Sequence, residues 1–243
     1  IIDRCVQAVY RPYIASGYKG NAPTLTDLQA EIKKQPEPEA QELALAAELF
    51  ISGSLSIFAQ KTNVDQNNRL TSYNILDLGE QLLPMGMLVI LESIYNRVIQ
   101  NWRSGRRTWV FVDEFSIFFR YPFATNFFLR MWKQVRKRAG YMTGITQNVG
   151  EMLTSKDACW MLANSEFLIM LSQSASDRAA LAELLNISDT QLSYVENADP
   201  GCGLMKFGGA FIPFVNSFPE DTELYKLMTT KPADREQVKP HGV

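Results

Sequence analysis

The chain has 243 residues, 46% of them hydrophobic and 11% aromatic, with a formal net charge of -2. That composition supplies a sizeable core and excludes a disordered polypeptide, while the charge excludes a global field drawing the chain onto nucleic acid or an anionic membrane. Three widely spaced cysteines, Cys5, Cys159 and Cys202, argue against a disulfide framework and favour a reducing, cytoplasmic compartment.

A single histidine, His241, removes most His-based metal and nucleophile chemistry. The longest apolar run, 82–91, is broken by Pro84 and Gly86 and falls short of the roughly 18 residues that span a bilayer. Nothing reads as a signal peptide.

In chain order, Ile2, Cys5, Val6, Val9 and Tyr10 recur at helical spacing until Pro12 interrupts them. Residues 24–34 read as a short helix, residues 33–39 as a charged, proline-spaced connector, and residues 39–50 as a helix rich in Ala, Leu and Glu. Residues 1–66 are therefore expected to form an all-helical subdomain. From about Leu70 the pattern changes. Residues 73–78 read as a strand ending at Gly79, 84–103 as a long apolar-striped helix, 108–114 as a compact buried strand and 124–139 as a helix. Strands at 141–146 and 167–171 follow, with a helix over 177–185. Alternation at these lengths implies βαβ units, hence a mainly parallel sheet covered on both faces. Residues 203–207 and 210–214, joined at Gly208-Gly209, read as a β-hairpin. The expected division is a helical subdomain at 1–66, an α/β core at 67–228 and a polar tail at 229–243.

Two strand ends carry the candidate chemistry. Trp109-Val110-Phe111-Val112 runs directly into Asp113-Glu114. An Asp at the end of a central strand is where P-loop nucleotide hydrolases hold Mg²⁺ against the phosphates, and a following Glu can activate the attacking water. One helix later, Met142-Thr143-Gly144-Ile145-Thr146 ends in Gln147-Asn148, whose neutral amide could engage a γ-phosphate or the lytic water. Either element alone is equally an ordinary loop after a buried strand; the pair points to a motor ATPase core.

Between those strands a helix sets Phe128, Met131, Trp132 and Val135 on one stripe, with Arg130, Lys133 and Lys137 opposite and Arg136 and Arg138 flanking it. The crowded Arg136-Lys137-Arg138 group is either a solvated helix end or a contact for phosphates, nucleic acid or an acidic partner. Arg178 begins a helix just after a strand, where it is either an arginine finger or a partner of Asp177 or Glu183.

The phosphate-cradling GxxxxGK[ST] loop does not occur in the sequence, which contains no Gly-Lys dipeptide. The Ile start leads us to expect that loop upstream of Ile1; the alternative is a relative that does not hydrolyse nucleotide.

Several blocks resemble the VirB-four (TrbE-like) ATPases, especially those of Gram-positive conjugative elements. They are Pro36-Glu37-Pro38-Glu39-Ala40-Gln41-Glu42-Leu43, Thr62-Asn63-Val64-Asp65, Arg107-Thr108-Trp109 running into Asp113-Glu114, and Trp132-Lys133 with Arg136-Lys137. Thr143-Gly144-Ile145-Thr146-Gln147-Asn148-Val149, Asn164-Ser165-Glu166-Phe167 and Ser176-Asp177-Arg178-Ala179-Ala180-Leu181 complete the set. The resemblance implies a RecA-like P-loop core with an all-helical subdomain, using ATP and Mg²⁺. It implies Walker B acids at Asp113 and Glu114, a glutamine motif at Gln147 and an Arg-Lys motif at Arg136 and Lys137. It further implies a hexamer that powers DNA or protein transfer or pilus assembly at the inner face of the bacterial membrane. Its partners there are other type IV secretion subunits and a coupling ATPase, and DNA is a further candidate; membrane contact runs through partners, without direct insertion. Alternatives are a DNA-translocating coupling protein, an FtsK/HerA-like motor, or a non-catalytic docking module. Arg138-Ala139-Gly140 departs from the family, which more often has an aromatic followed by Gly-Gly, and Phe115-Ser116 replaces small or apolar followers.

Overall fold

In the computed structural model, residues 1–53, 55–61, 68–147 and 149–229 are described. The Thr62–Asp65 block, Asn148 and the tail from residue 230 onward lie outside the described residues. The chain separates into two compact units, Ile1–Gly86 and Met87–Val243.

Every element of the first unit is helical among its described residues. Helices α1 (Ile2–Ala15), α2 (Leu25–Ile32) and α3 (Pro38–Ile51) close on a small core of Cys5, Ile32, Ala40 and Ala44, flanked by Leu28 and Leu43. Local sequence starts two of them. The Asp27 carboxylate accepts the Thr24 N–H at 2.8 Å ahead of α2, and Pro38 occupies the first turn of α3, where its missing N–H costs nothing. Gln29, buried, donates to the Ala44 carbonyl at 2.7 Å and ties α2 to α3. Pro12 does not interrupt α1, as the sequence led us to expect. It lies near the end of the helix, where one lost donor is tolerated for the last few residues.

The strand expected at 73–78 is a correction: residues Leu76–Leu78 form a 3₁₀ turn. Asn74 Nδ2 donates to Asp77 Oδ2 at 3.4 Å across the turn, and the Leu78 N–H and Ile75 carbonyl, which a strand ladder would use, bond each other at 3.3 Å. Helix α4 (Gly79–Arg103) starts earlier than expected and continues through Pro84 and Gly86. It is therefore long and apolar enough to cross a membrane by length and composition, with a mean hydropathy of 1.4 and 22% of the window buried. The sequence reading, which stopped the apolar run at residue 91, missed this.

In the second unit, β1 (Thr108–Val112) pairs in parallel with β2 (Gly140–Gly144), from Thr108 opposite Gly140 to Val112 opposite Gly144. The crossover runs through a 3₁₀ turn (Phe115–Arg120), α5 (Pro122–Gln134) and a second 3₁₀ turn (Val135–Arg138). The expected apolar stripe is real: Phe128, Met131 and Val135 are buried. Phe128 sits edge-on to Phe115, Phe118 and Phe127, with ring centroids 5.0, 5.0 and 5.4 Å away. After β2 come α6 (Val149–Leu153), α7 (Lys156–Ala163), β3 (Phe167–Met170), α8 (Ala175–Leu185) and the short α9 (Asp189–Leu192). The chain then forms the expected hairpin, β4 (Cys202–Phe207) and β5 (Ala210–Val215), with Phe207 opposite Ala210.

The sheet expected to be mainly parallel is divided. Among the described residues β1 and β2 are the parallel pair, and β3 joins an antiparallel sheet of order β3-β4-β5. The hairpin lies against β3, with Gly208 N–H bonded to the Glu166 carbonyl at 3.0 Å, so β3 pairs with the later β4. A separate core of Val149, Met170, Leu181, Leu185, Ile187, Val195 and Leu204 holds α6, α8 and this sheet together. The architecture is mixed α/β.

Candidate functional site

The candidate site lies at the carboxyl ends of β1 and β2, where open parallel sheets place their chemistry. The ladder runs on past both strands: Ile145 N–H bonds the Val112 carbonyl and Phe115 N–H the Ile145 carbonyl, each at 2.8 Å. Asp113 and Glu114 are held between those two bonds. Asp113 Oδ1 accepts the Glu114 N–H at 3.0 Å. Glu114 has left-handed backbone angles (φ 47°, ψ 47°) and turns the chain sharply out of the strand. Phe115, 3% exposed, then anchors it by stacking on Trp132 at 5.5 Å and packing edge-on to Phe119 and Phe128, both at 5.0 Å.

Gln147 emerges from β2 beside them. Its Nε2 donates to Glu114 Oε1 at 3.2 Å, so residues 33 apart in sequence meet at one strand edge. Asp113 and Gln147 are exposed and Glu114 is half-buried. A clamp not legible in the sequence fixes the loops that follow. Arg120 Nε and Nη2 both reach Glu151 Oε1 at 2.7 Å, and the guanidinium holds the Glu151 carboxyl below the usual glutamate range.

A carboxylate with a free oxygen beside a second carboxylate suits Mg²⁺, which binds through one or two carboxylates plus substrate phosphates and keeps its waters. Among the described residues no cluster of three or more His, Cys, Asp or Glu side chains forms a closed metal cage. The donor set thus fits a metal brought in with a nucleotide.

No family model matches the chain, and no curated protein does. A solved structure of VirB4 of Thermoanaerobacter pseudethanolicus matches it with a TM-score of 0.73 at 22% identity. The chain has a VirB4-like fold. The match covers 90% of this chain and 64% of that one, so the chain spans less than two thirds of the VirB4 it matches. At this identity the likeness is one of fold.

Within that VirB4-like fold the remaining candidates lie apart from the acids. Arg136, Lys137 and Arg138 precede β2, at the opposite end of the strands from Glu114 and Gln147. From Arg107 to Asp113 the strand climbs six residues, about 20 Å, well beyond the reach of one arginine side chain at that end. Arg136 and Lys137 are exposed, and among the described residues neither side chain has a hydrogen-bond or ionic partner. Arg138 donates to Gln134 Oε1 at 3.4 Å and lies 5.4 Å over the Tyr95 ring. Ala139 follows with left-handed angles (φ 51°, ψ 33°), the conformation that suits the glycine found there in the family pattern.

Arg178, 19% exposed, pairs with neither Asp177 nor Glu183. It donates to the Gln173 carbonyl at 3.0 Å and to Glu196 Oε1 at 2.7 Å. Asp177 instead accepts from the Ser174 hydroxyl at 2.7 Å at the start of α8.

Proposed function

We propose that this chain is the C-terminal motor part of a conjugative type IV secretion ATPase. In the intact protein, a hexamer at the inner face of the bacterial membrane, it hydrolyses ATP to drive DNA or protein transfer or pilus assembly. The observation that carries the reading is the Gln147–Glu114 hydrogen bond beside Asp113, at the carboxyl ends of two parallel strands.

Each group then has one task. Asp113 would hold a Mg²⁺ ion, which would supply charge neutralisation at the phosphates. Glu114 accepts the proton of the attacking water. Gln147 fixes the Glu114 carboxylate and releases it to the water when phosphate occupies the strand edge. The Arg120–Glu151 clamp keeps both loops in register.

The test is Glu114→Gln in the intact protein. Turnover falls at least 100-fold while ATP affinity stays within about threefold, because the substitution keeps shape and removes the base. Ordinary hydrolysis by this variant overturns the assignment.

A further inference from the structure

The net charge of the chain conceals a strong internal division. Residues 93–150 contain ten Lys and Arg and two acids, a net charge of +8, so the rest of the chain carries -10. The two acids of that stretch are Asp113 and Glu114, at the carboxyl ends of the strands. The opposite end is a different surface. Three short pieces of chain meet there. Helix α4 ends at Arg103, and the turn after it is closed by the Arg106 N–H on the Asn101 carbonyl at 2.8 Å. Asn101 Nδ2 also donates to Thr108 Oγ1 at 3.0 Å. Arg107 leads into β1, and Thr108 N–H bonds the Ala139 carbonyl at 3.1 Å, which sets the Arg136–Arg138 turn alongside.

Arg103, Arg106, Arg107, Arg136 and Lys137 are all exposed, and among the described residues none has an ionic or side-chain hydrogen-bond partner. Helix C-termini favour a cation or two through the macrodipole, which accounts for Arg103 and one member of the second turn. Five uncompensated cations on chain segments that meet at one end of the sheet exceed that need. Like charges repel, and the carboxylates within the stretch lie about 20 Å away along β1.

We infer that this end of the parallel sheet is a binding surface for the phosphate backbone of single-stranded nucleic acid, with Arg103, Arg106, Arg107, Arg136 and Lys137 as its phosphate contacts. Arginine dominates the set, and its planar fork pairs with phosphate and stacks on bases in a way that lysine does not. Exposed aromatic rings interleave with the cations: Trp102 precedes Arg103, and Trp109, two residues after Arg107, lies 4.1 Å edge-to-face from Tyr141. Cations tracking a backbone beside open aromatic faces are the combination that single strands require. The surface is separate from the strand ends proposed to bind nucleotide, so its failure leaves that reading untouched.

The experiment is fluorescence anisotropy of a labelled 20-mer oligothymidylate with the full chain, titrated over salt without nucleotide. Arg106→Ala/Arg107→Ala and Arg136→Ala/Lys137→Ala each weaken binding at least tenfold. Each also lowers the slope of log affinity against log salt by about 1.4, two contacts at about 0.7 apiece. Lys33→Ala/Lys34→Ala, in the other unit, changes neither. Should an alanine pair fail to fold by circular dichroism, Arg106→Lys/Arg107→Lys keeps the test alive. It retains the salt slope and loses a few-fold in affinity. Unchanged affinity and slope in the folded alanine variants overturn the proposal. Binding to vesicles of phosphatidylserine and phosphatidylcholine with none to the oligonucleotide overturns it equally, and assigns the face to lipid.

Discussion

Gln147 donates its side-chain amide to Glu114 at 3.2 Å, joining the ends of two strands that pair side by side and run in the same direction. The contact is possible because the ladder continues one step beyond both strands, to Ile145 and Phe115, before the chains diverge.

Gln147→Met removes the donor while preserving length. With the Glu114 carboxylate no longer oriented, kcat of the intact protein falls roughly 10- to 100-fold with little change in KM. Steady-state ATPase assays decide it, and an unchanged kcat removes Gln147 from the site.

Gly144→Ala tests how tightly the aromatic anchor is fixed. A Cβ there comes within 2.5 Å of Phe115 Cδ1, and the ring, 3% exposed and wedged between Trp132 and Phe128, has nowhere to go. Overpacking of this kind costs about 1–3 kcal/mol, read by urea denaturation. Activity falls further than stability alone explains, because Phe115 sets the backbone that follows Glu114.

Ala139→Gly works in the opposite direction. Its left-handed φ of 51° strains any residue with a Cβ, so glycine stabilises the fold by up to about 1 kcal/mol. A melting temperature that falls instead contradicts the assigned turn.

Acid weakens the Arg120–Glu151 clamp. The Glu151 carboxyl is lowered by Arg120, so its contribution to stability is present above the ordinary glutamate range and disappears as pH falls through the lowered folded value. Wild type is therefore more stable than Glu151→Gln at neutral pH. The difference shrinks as pH falls below the ordinary glutamate value and through the lowered folded one. Thermal melts of both proteins from pH 7 to pH 3 read this directly, and a gap that persists at pH 3 contradicts it.

Most local structure was readable in the residues. Apolar periodicity marked α5 and β1 because their buried faces are set by neighbours on the same helix or strand, and Gly208-Gly209 announced the β4–β5 hairpin. Asp113, Glu114 and Gln147 were legible because strand ends are marked by where apolar runs stop. Sheet pairing was not legible, since β3 reads as a buried strand whether its partner is parallel β2 or antiparallel β4. The run at 73–78 is apolar enough to read as a strand, but Asn74 and Asp77 are bonded across the 3₁₀ turn it forms. Arg178 offered two nearby acids and took a third, Glu196, delivered by a loop whose path periodicity does not encode. The Arg120–Glu151 clamp was missed for the same reason.

Glu114 occupies a backbone conformation that nature reserves chiefly for residues without a side chain. A glycine there would relax the loop and raise the melting point, yet it would remove the carboxylate that the proposed function uses as base. The carboxylate is thus retained at a conformational cost that the surrounding aromatic packing absorbs. Under the proposed function, stability and turnover therefore pull this one position in opposite directions.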